Sequence, residues 1–293
     1  MELTKEQKDI VAYNGNMIIN ATAGSGKTSV LVAYAKERKD KQFLYVTFNK
    51  SMQMDAEIKF KSNDIGYVKT STVHSLAYNS VKASKFKLSK DGLRAYDIVK
   101  LLKLSKKKVP SVYHFILAGH IIEYFNFYCN NAERDFTISF ERYHNSLPED
   151  SKARAFVESS AELILGKTVD LWALMNKKKA DITHDFYLKL FQLSNPDLSN
   201  YGYILLDEGQ DASPVMLDII KNQNTNKIIV GDTHQQLYSF RHAVNSLEGT
   251  DYEKFDLTES FRFGDTVAFL AKKVVEYKNY VGLDINYKIK EYL

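Results

Sequence analysis

Two short segments of the chain carry side chains suited to phosphate chemistry. The first is residues 21–28, which read ATAGSGKT and follow an apolar run. Gly24 and Gly26 allow backbone N–H groups to turn inward around phosphate oxygens. Lys27 brings a mobile ammonium to the outer phosphates, and the Thr28 hydroxyl is placed to bind Mg²⁺. The segment predicts a phosphate loop, with Ala at a first position where Gly is usual.

The second segment supplies carboxylates. Residues 203–211 read YILLDEGQD, so Asp207 and Glu208 follow a short apolar run. Asp207 is suited to hold Mg²⁺ through water, and Glu208 to orient and deprotonate an attacking water. Alone, the acidic pair fits a strand end with solvated charge equally well. Together with a phosphate loop, it favours phosphoryl transfer.

Strands that are distant in the sequence must bring these segments together. Thr28 and Asp207 are 179 positions apart, whereas one strand–helix–strand crossover takes about 30 residues. Apolar runs that lead into polar turns and helical patterns predict a parallel sheet with right-handed crossovers. The predicted strands are 17–20, 43–48, 67–73, 203–207, 227–231 and 255–257.

Between about residue 80 and residue 200, helical periodicity replaces this alternation. The predicted helices are 95–104, 112–128, 152–175 and 183–193, with a further helix at 265–280 before a short tail. The predicted fold class is therefore α/β, a parallel sheet interrupted by a mostly helical insertion.

The composition excludes several classes of protein. Cys129 is the single cysteine among 293 residues, which excludes a disulfide framework and a cysteine-based zinc cluster. No apolar stretch approaches the ~20 residues that span a bilayer, and the first residues are charged where a signal peptide is apolar. We expect an intracellular protein without a membrane partner, in the cytoplasm or, in a eukaryote, the nucleus.

The charge distribution leaves the partner open. A net charge of +4 is too small by itself to indicate nucleic acid. Lysines nevertheless cluster at 106–108 and 177–179. Such runs are commonly solvated loops and helix ends, and they support nucleic-acid binding only if another feature points to a phosphate backbone.

The motifs and their order resemble those of the UvrD/Rep-type superfamily 1 DNA helicases, nearer the F-box DNA helicase branch. Beyond the two segments above, the matching stretches are LTKEQ at 3–7, VTFNK at 46–50, TSTVHSLA at 70–77, GDTHQQLYSFRHA at 231–243 and LTESFR at 257–262. Each motif is weak on its own, whereas their order and spacing are specific. Positions 240 and 242 depart from the family pattern, with Phe where Trp is frequent and His where Gly is typical.

The resemblance implies a RecA-like P-loop NTPase domain, termed 1A, that carries an inserted domain, 1B. The expected boundaries are 1–80 for the first part of 1A, 81–200 for 1B and 201–293 for the second part of 1A. The family's second RecA-like half, 2A, is expected to be absent from this chain, since its motifs do not follow residue 262.

The resemblance also implies a site for ATP and Mg²⁺. Its expected catalytic residues are Lys27, Asp207, Glu208, Gln235 and Arg262, with Gln235 and Arg262 directed at the terminal phosphate. Thr28 and Asp207 are the expected metal ligands. The expected nucleotide contacts are Gln7, Ala23, Gly24, Ser25, Gly26, Lys27, Thr28, Ser29, Phe261 and Arg262. The residue types fit, because the Gln7 amide matches the donor and acceptor on the N6 and N7 edge of adenine, and Phe261 can stack on the base.

Single-stranded DNA is the expected partner. The residues implied for its contacts are Phe48, Asn49, Thr72, His74, Tyr238, Phe240 and Arg241. Stacking of Phe48 or Phe240 on an unpaired base is worth about 1–3 kcal/mol. The alternatives are that Phe48 and Phe240 are core aromatics, that His74 is a buried, hydrogen-bonded histidine, and that Tyr238 packs without touching DNA.

We therefore expect the ATP-binding motor domain of a DNA-dependent ATPase and helicase. Domain 2A would come in cis, this chain being a fragment of a longer helicase, or in trans from a partner. A second arginine from 2A would add a factor of about 10³–10⁵ in rate, so this chain alone should turn over ATP slowly or not at all. The alternative is a non-catalytic, nucleotide-dependent DNA-binding or regulatory subunit. A P-loop NTPase for small molecules fits residues 21–28 but leaves 231–262 unexplained.

Overall fold

The structure is a computed structural model that describes residues 2–105, 110–232, 251–262, 264–280 and 290–291. The chain divides into two compact units. Unit 1 comprises Met1–Val73, Asp197–Ala212 and Ile220–Leu293, and unit 2 comprises His74–Pro196 and Ser213–Ile219.

Unit 1 is built on a six-stranded parallel sheet in the order β3-β2-β4-β5-β1-β6. The strands are β1 (Met17–Ala21), β2 (Phe43–Thr47), β3 (Val68–Thr72), β4 (Tyr203–Leu206), β5 (Asn226–Gly231) and β6 (Glu253–Leu257). The sequence predicts all six within two residues, and the parallel α/β class is confirmed. Because parallel strands end at one edge, the segments that follow β1 and β4 leave the sheet on the same side, with β5 between them.

The inner strands are mostly apolar because helices cover both faces of a parallel sheet. Every residue of β2 and β4 is buried. The helices of unit 1 are α1 (Lys5–Ala12), α2 (Lys27–Lys36), α3 (Lys50–Lys61) and α12 (Asp265–Tyr280), while α4 (Val73–Ser80) and α11 (Pro214–Lys221) belong partly to each unit. A second, two-stranded parallel sheet pairs β7 (Glu259–Ser260) with β8 (Lys290–Glu291).

Unit 2 is helical. Its helices are α5 (Ala95–Leu101), α6 (Ser111–Asn130), α7 (Phe136–Ser146), α8 (Lys152–Ser159), α9 (Ala161–Asn176) and α10 (His184–Leu193). Aromatic rings from three of them fill its core: the ring centroid of Trp172 lies 4.5 Å from that of Phe186 and 5.5 Å from that of Tyr128. This agrees with the mostly helical insertion expected from the sequence.

The prediction of one helix over 152–175 is wrong, because α8 ends at Ser159 and α9 begins at Ala161. The Phe156 carbonyl accepts hydrogen bonds from Ser159 Oγ and from the Ser160 N–H, each at 3.0 Å. The second of these is the last helical bond of α8, after which Ser160, with φ −116° and ψ 15°, leaves the helical conformation and caps both helices.

Helix α7 was not predicted, although its signals are present in the sequence. The Asp135 carboxylate caps the helix by accepting hydrogen bonds from the N–H groups of Thr137 and Ile138 at 2.8 and 3.0 Å. Buried Phe140 and Tyr143 lie three residues apart on the apolar face. In the part of the chain that the structure describes, no helix has the length and apolar character needed to cross a membrane.

Candidate functional site

The loop after β1 has the backbone that a phosphate cradle requires. Gly24 and Gly26 have φ angles of 77° and 81°, in the left-handed region that favours glycine. A Cβ on Gly24 would collide with the Cβ of Arg262 and lie 2.8 Å from Ser260 Oγ. Glycine is therefore required at position 24 both by conformation and by space.

The start of α2 points a helix N-terminus at this loop. Gly26 is the N-cap, and Lys27, Thr28 and Ser29 form the first turn, in which backbone N–H groups have no partner within the helix. Ser25 Oγ is buried, and none of the described residues hydrogen-bonds it. A buried hydroxyl and a helix N-terminus that lack acceptors fit a phosphate group.

The acidic pair lies beside the loop. Lys27 Nζ is 3.5 Å from Glu208 Oε2, and the two side chains are 13% and 24% exposed. Gln210 Nε2 donates to Glu208 Oε2 at 2.7 Å, and Gln210 Oε1 accepts from the Asp232 N–H at 3.1 Å. Gln210 thus connects the acidic residue to the end of β5, a role that the sequence analysis missed.

Asp207 is buried, and its two oxygens have different donors. The Glu208 N–H donates to Oδ1 at 2.9 Å, and the Tyr45 hydroxyl donates to Oδ2. Burial raises the pKa of Asp207 and the Glu208 charge raises it further, while the Tyr45 hydrogen bond and the Lys27 ammonium oppose part of that rise.

Tyr45 lies beside the expected metal ligands. Its hydroxyl donates to Asp207, and the nearby Thr28 side chain acts to lower its pKa. Burial, and then the neighbouring Asp207 charge, raise the pKa of Tyr45 well above its usual value. A hydroxyl and a carboxylate are oxygen ligands of the kind that Mg²⁺ prefers, so the residues present fit this ion. Tyr45 also escaped the sequence analysis, where its only signal was a phenol in a wholly buried strand.

A cleft of about 600 Å³ lies on the other side of the loop. Gln7, Gly24, Gly26, Ser29 and Phe261 are among the residues that line it. Its volume is within the range of small-molecule sites. The structure therefore gathers the residues expected at the base around the same loop as those expected at the phosphates.

The Gln7 amide is already engaged. Its Nε2 donates to the Ser25 carbonyl at 3.3 Å, and its Oε1 accepts from the Thr4 N–H at 3.2 Å, which completes a capping box at the start of α1. Gln7 is 5% exposed. Its reading of adenine stays a prediction, and the structure adds a second role, the attachment of α1 to the loop.

The segment after β6 runs along the loop. The Phe261 N–H donates to the Gly24 carbonyl at 2.9 Å, and Ser260 Oγ donates to the Ala23 carbonyl at 2.7 Å. Arg262 follows with an exposed side chain. Ala23, Phe261 and Arg262 are thus at the loop, and their contacts with a nucleotide stay predictions.

The residues expected at DNA fall in both units. Asn49 caps α3, since its side chain accepts from the Met52 N–H at 2.9 Å, and Thr72 at the end of β3 is 6% exposed. Phe48, between β2 and α3, is half-buried. In unit 2, His74 Nε2 lies 3.8 Å from Asp185 Oδ1. Their DNA contacts stay predictions, as do those of Tyr238, Phe240 and Arg241 and the phosphate role of Gln235, which lie outside the described residues.

The segments that form this site lie in a region of the chain that is similar to known proteins. A family model described as "UvrD/REP helicase N-terminal domain" matches residues 3–256. The chain is 36% identical to F-box DNA helicase 1 of Gallus gallus over 297 residues, which is 94% of this chain and 28% of that protein. It is 35% identical to F-box DNA helicase protein 1 of Schizosaccharomyces pombe, over 94% of this chain and 33% of that protein.

A bacterial protein shows the same relationship at lower identity. ATP-dependent DNA helicase Rep of Buchnera aphidicola is 26% identical over 83% of this chain and 39% of its own length. The chain thus spans roughly a third of each of these three relatives.

Proposed function

Because the chain belongs to the UvrD/REP helicase family, we propose that it is the ATP-binding motor domain of a helicase or translocase that acts on single-stranded DNA. One observation carries the proposal: Lys27, Asp207 and Glu208 meet at a loop whose other side is a cleft lined by Gln7 and Phe261. Nucleotide hydrolysis needs a cation at the phosphates, carboxylates for the metal and the attacking water, and a cleft for the base.

The roles of the chain's own residues follow from their surroundings. When bound, Mg·ATP would supply the terminal phosphoryl group: a water oxygen would bond to its phosphorus while the bond to the bridging oxygen breaks and ADP leaves. The Lys27 ammonium, 3.5 Å from Glu208, would neutralise charge on the outer phosphates. Gln210 keeps the Glu208 carboxylate in place as that happens, and Glu208 accepts the proton of the attacking water. Asp207 and Thr28 would hold the metal, and Phe261 would cover the base.

Family membership also supports the partners. The relatives are named DNA helicases, and they extend well beyond the region that this chain matches. We propose that single-stranded DNA binds near Phe48 and Asn49, at the carboxyl end of β2, and that a second RecA-like domain, in cis or in trans, completes the catalytic site.

The test measures nucleotide binding and ATP turnover on the same variants. We expect Lys27→Ala to weaken binding of a fluorescent ATP analogue with Mg²⁺ by about tenfold or more, because it removes a charge-assisted contact. We expect Glu208→Gln to retain binding and to lose turnover stimulated by single-stranded DNA. The matched control is Lys41→Ala, which removes an exposed lysine paired with Asp40.

Turnover is measured on this chain and on any longer form of the protein, because the second domain is expected to raise the rate. Nucleotide binding that survives Lys27→Ala unchanged would contradict the proposed site. Binding of nucleotide and DNA without turnover in any form would support the alternative, a nucleotide-dependent DNA-binding or regulatory subunit.

A further inference from the structure

The first turn of α1 carries a second contact next to Gln7. The Glu6 carboxylate accepts two hydrogen bonds from Thr258: the N–H reaches Oε2 at 2.8 Å, and the hydroxyl reaches Oε1 at 2.7 Å. Thr258 is 5% exposed. Two short, charge-assisted bonds thus join residues that are 252 positions apart in the sequence.

Thr258 occupies a defined place between β6 and β7. Immediately before it, the Leu257 carbonyl accepts from the Thr22 N–H at 3.0 Å and from Thr22 Oγ1 at 2.6 Å. Three residues after it comes Phe261, whose N–H is bonded to the Gly24 carbonyl. The phosphate loop therefore holds one side of this segment, and Glu6 attaches α1 to it as well.

The opposite end of α1 is anchored separately. The Arg38 guanidinium donates to the carbonyls of Val11 and Tyr13 at 3.0 and 2.8 Å. Loss of the Glu6 contact would therefore loosen the first turn, which the Gln7 bond to the Ser25 carbonyl still joins to the loop, without detaching the helix.

Gln7 and Phe261 flank the same point of the loop. A Cβ on Gly26 would lie 3.1 Å from Gln7 Nε2 and 3.8 Å from Phe261 Cε2. Gln7 is the residue next to Glu6, and Phe261 is three residues from Thr258. The Glu6–Thr258 contact consequently fixes the spacing between the amide and the ring that face the cleft.

We propose that Glu6 and Thr258 are positioning residues that set the selectivity of the cleft for adenine over guanine. This inference rests on the proposed function, because it assumes that the cleft takes the base of a nucleotide. A planar amide distinguishes the N6 and N7 edge of adenine from the corresponding edge of guanine only when it is held in register with the ring stacked on the base. The Glu6–Thr258 contact provides that register from outside the cleft.

The test compares the affinities of ATP, GTP and inorganic tripolyphosphate for the 293-residue chain with Mg²⁺, by displacement of a fluorescent nucleotide. We expect Thr258→Val and Glu6→Gln each to weaken ATP binding by about tenfold, the factor that corresponds to the loss of one hydrogen bond between the displaced Gln7 amide and adenine. GTP and tripolyphosphate should change by less than about twofold, because the phosphate cradle is untouched. Thr258→Ser keeps the hydroxyl and should retain the wild-type preference.

Asp9→Asn is the control, since it alters an exposed carboxylate on the same helix. The Glu6→Gln/Thr258→Val double variant should be no worse than either single variant, as expected for two halves of one contact. Equal losses for ATP, GTP and tripolyphosphate would show a purely structural contact and overturn the proposal. So would an unchanged ATP-to-GTP ratio in both single variants, or a wild-type chain that binds both nucleotides equally. A wild-type chain that binds neither nucleotide would overturn the proposed function itself.

Discussion

Tyr45 is the least anticipated side chain at the site. Its hydroxyl donates to Asp207, one of the two residues expected to hold Mg²⁺. Asp207 is buried, and burial favours its uncharged form, whereas the Tyr45 hydrogen bond favours the carboxylate. The Tyr45 hydrogen bond therefore acts in favour of the charged form that a metal needs, against the effect of burial.

We expect Tyr45→Phe to raise the Mg²⁺ concentration needed for half-maximal binding of a fluorescent nucleotide. The variant removes the hydroxyl and keeps the ring, so the packing of β2 is preserved while Asp207 loses one donor. A loss of about 1–2 kcal/mol corresponds to a shift of roughly five- to thirtyfold. Tyr67→Phe, which removes a hydroxyl bonded to the Ala35 carbonyl, is the control. An unchanged Mg²⁺ midpoint in Tyr45→Phe would remove Tyr45 from the metal site.

The sequence predicted the residues that lie inside contiguous motifs and missed those whose role depends on a distant partner. Lys27, Asp207 and Glu208 each belong to a short segment whose residue types are typical of phosphate or metal binding. Tyr45 and Glu6 act through partners 162 and 252 positions away. No local pattern specifies such contacts, because they depend on strand order in the sheet and on the place where the chain returns to it.

At the scale of elements, the strands were easier to predict than the helices of unit 2. The apolar runs of β1, β2, β4 and β5 follow from burial on both faces, which leaves little ambiguity. The break at Ser160 depends on the backbone conformation of one residue, φ −116° and ψ 15°, within a strong helical periodicity. Helix α7 is short and lies among other helical patterns, where its capping residue was the better signal.

Helix α10 contains a buried lysine with measurable consequences. Lys189 is fully buried, and its ammonium donates to the carbonyls of Asn131, at 2.9 Å, and of Glu133. Burial lowers the pKa of Lys189 from 10.5 to about 8. Between those values the unfolded chain binds a proton that the folded chain does not, so this lysine makes stability rise with pH from about 8.

We expect Lys189→Met to abolish that rise between pH 8 and pH 9.5, measured by urea unfolding. The comparison is made in a Cys129→Ala background, because burial raises the pKa of the Cys129 thiol and gives the opposite slope in the same range. The readout is the change of slope with pH, since the substitution also removes two hydrogen bonds and lowers stability at every pH. If the free energy of unfolding changes with pH equally with and without Lys189→Met, Lys189 is not the source of the rise.

At the scale of the molecule, positive charge is concentrated in unit 2. Residues 82–103 and 176–182 contain ten basic and three acidic side chains, whereas the whole chain has 40 and 36. The rest of the chain is therefore more acidic than basic. The two segments meet in a bridge between Leu88 and Ile182, and Lys178 Nζ lies 5.2 Å from the ring centroid of Phe86. A local excess of positive charge of this kind is suited to a phosphate backbone.

We expect the triple replacement of Lys177, Lys178 and Lys179 by Gln to weaken DNA binding and to reduce its dependence on salt. If all three neutralise phosphates, the slope of log K against log salt should fall by about 2 for single strands and nearly 3 for duplex DNA. Fluorescence anisotropy at several salt concentrations measures both quantities.

The control replaces three other lysines by Gln, so that its net charge equals that of the first triple variant. Lys8, Lys41 and Lys61 in unit 1 are each paired with an acidic neighbour. Equal losses in the two triple variants would mean that DNA responds to net charge alone. If the variant at 177–179 binds DNA with unchanged affinity, these lysines form a solvated turn that does not contact DNA.

The backbone of Glu208 has a consequence for how tolerant this fold is of change. Glu208 has a φ of 52°, a conformation that costs most residues about 1–2 kcal/mol and costs glycine little. Among variants that lack the side chain, Glu208→Gly should therefore melt at a higher temperature than Glu208→Ala, while neither hydrolyses ATP. Glycine would relieve the backbone strain at position 208 but would remove the carboxylate. Retention of glutamate there therefore favours activity at the expense of stability.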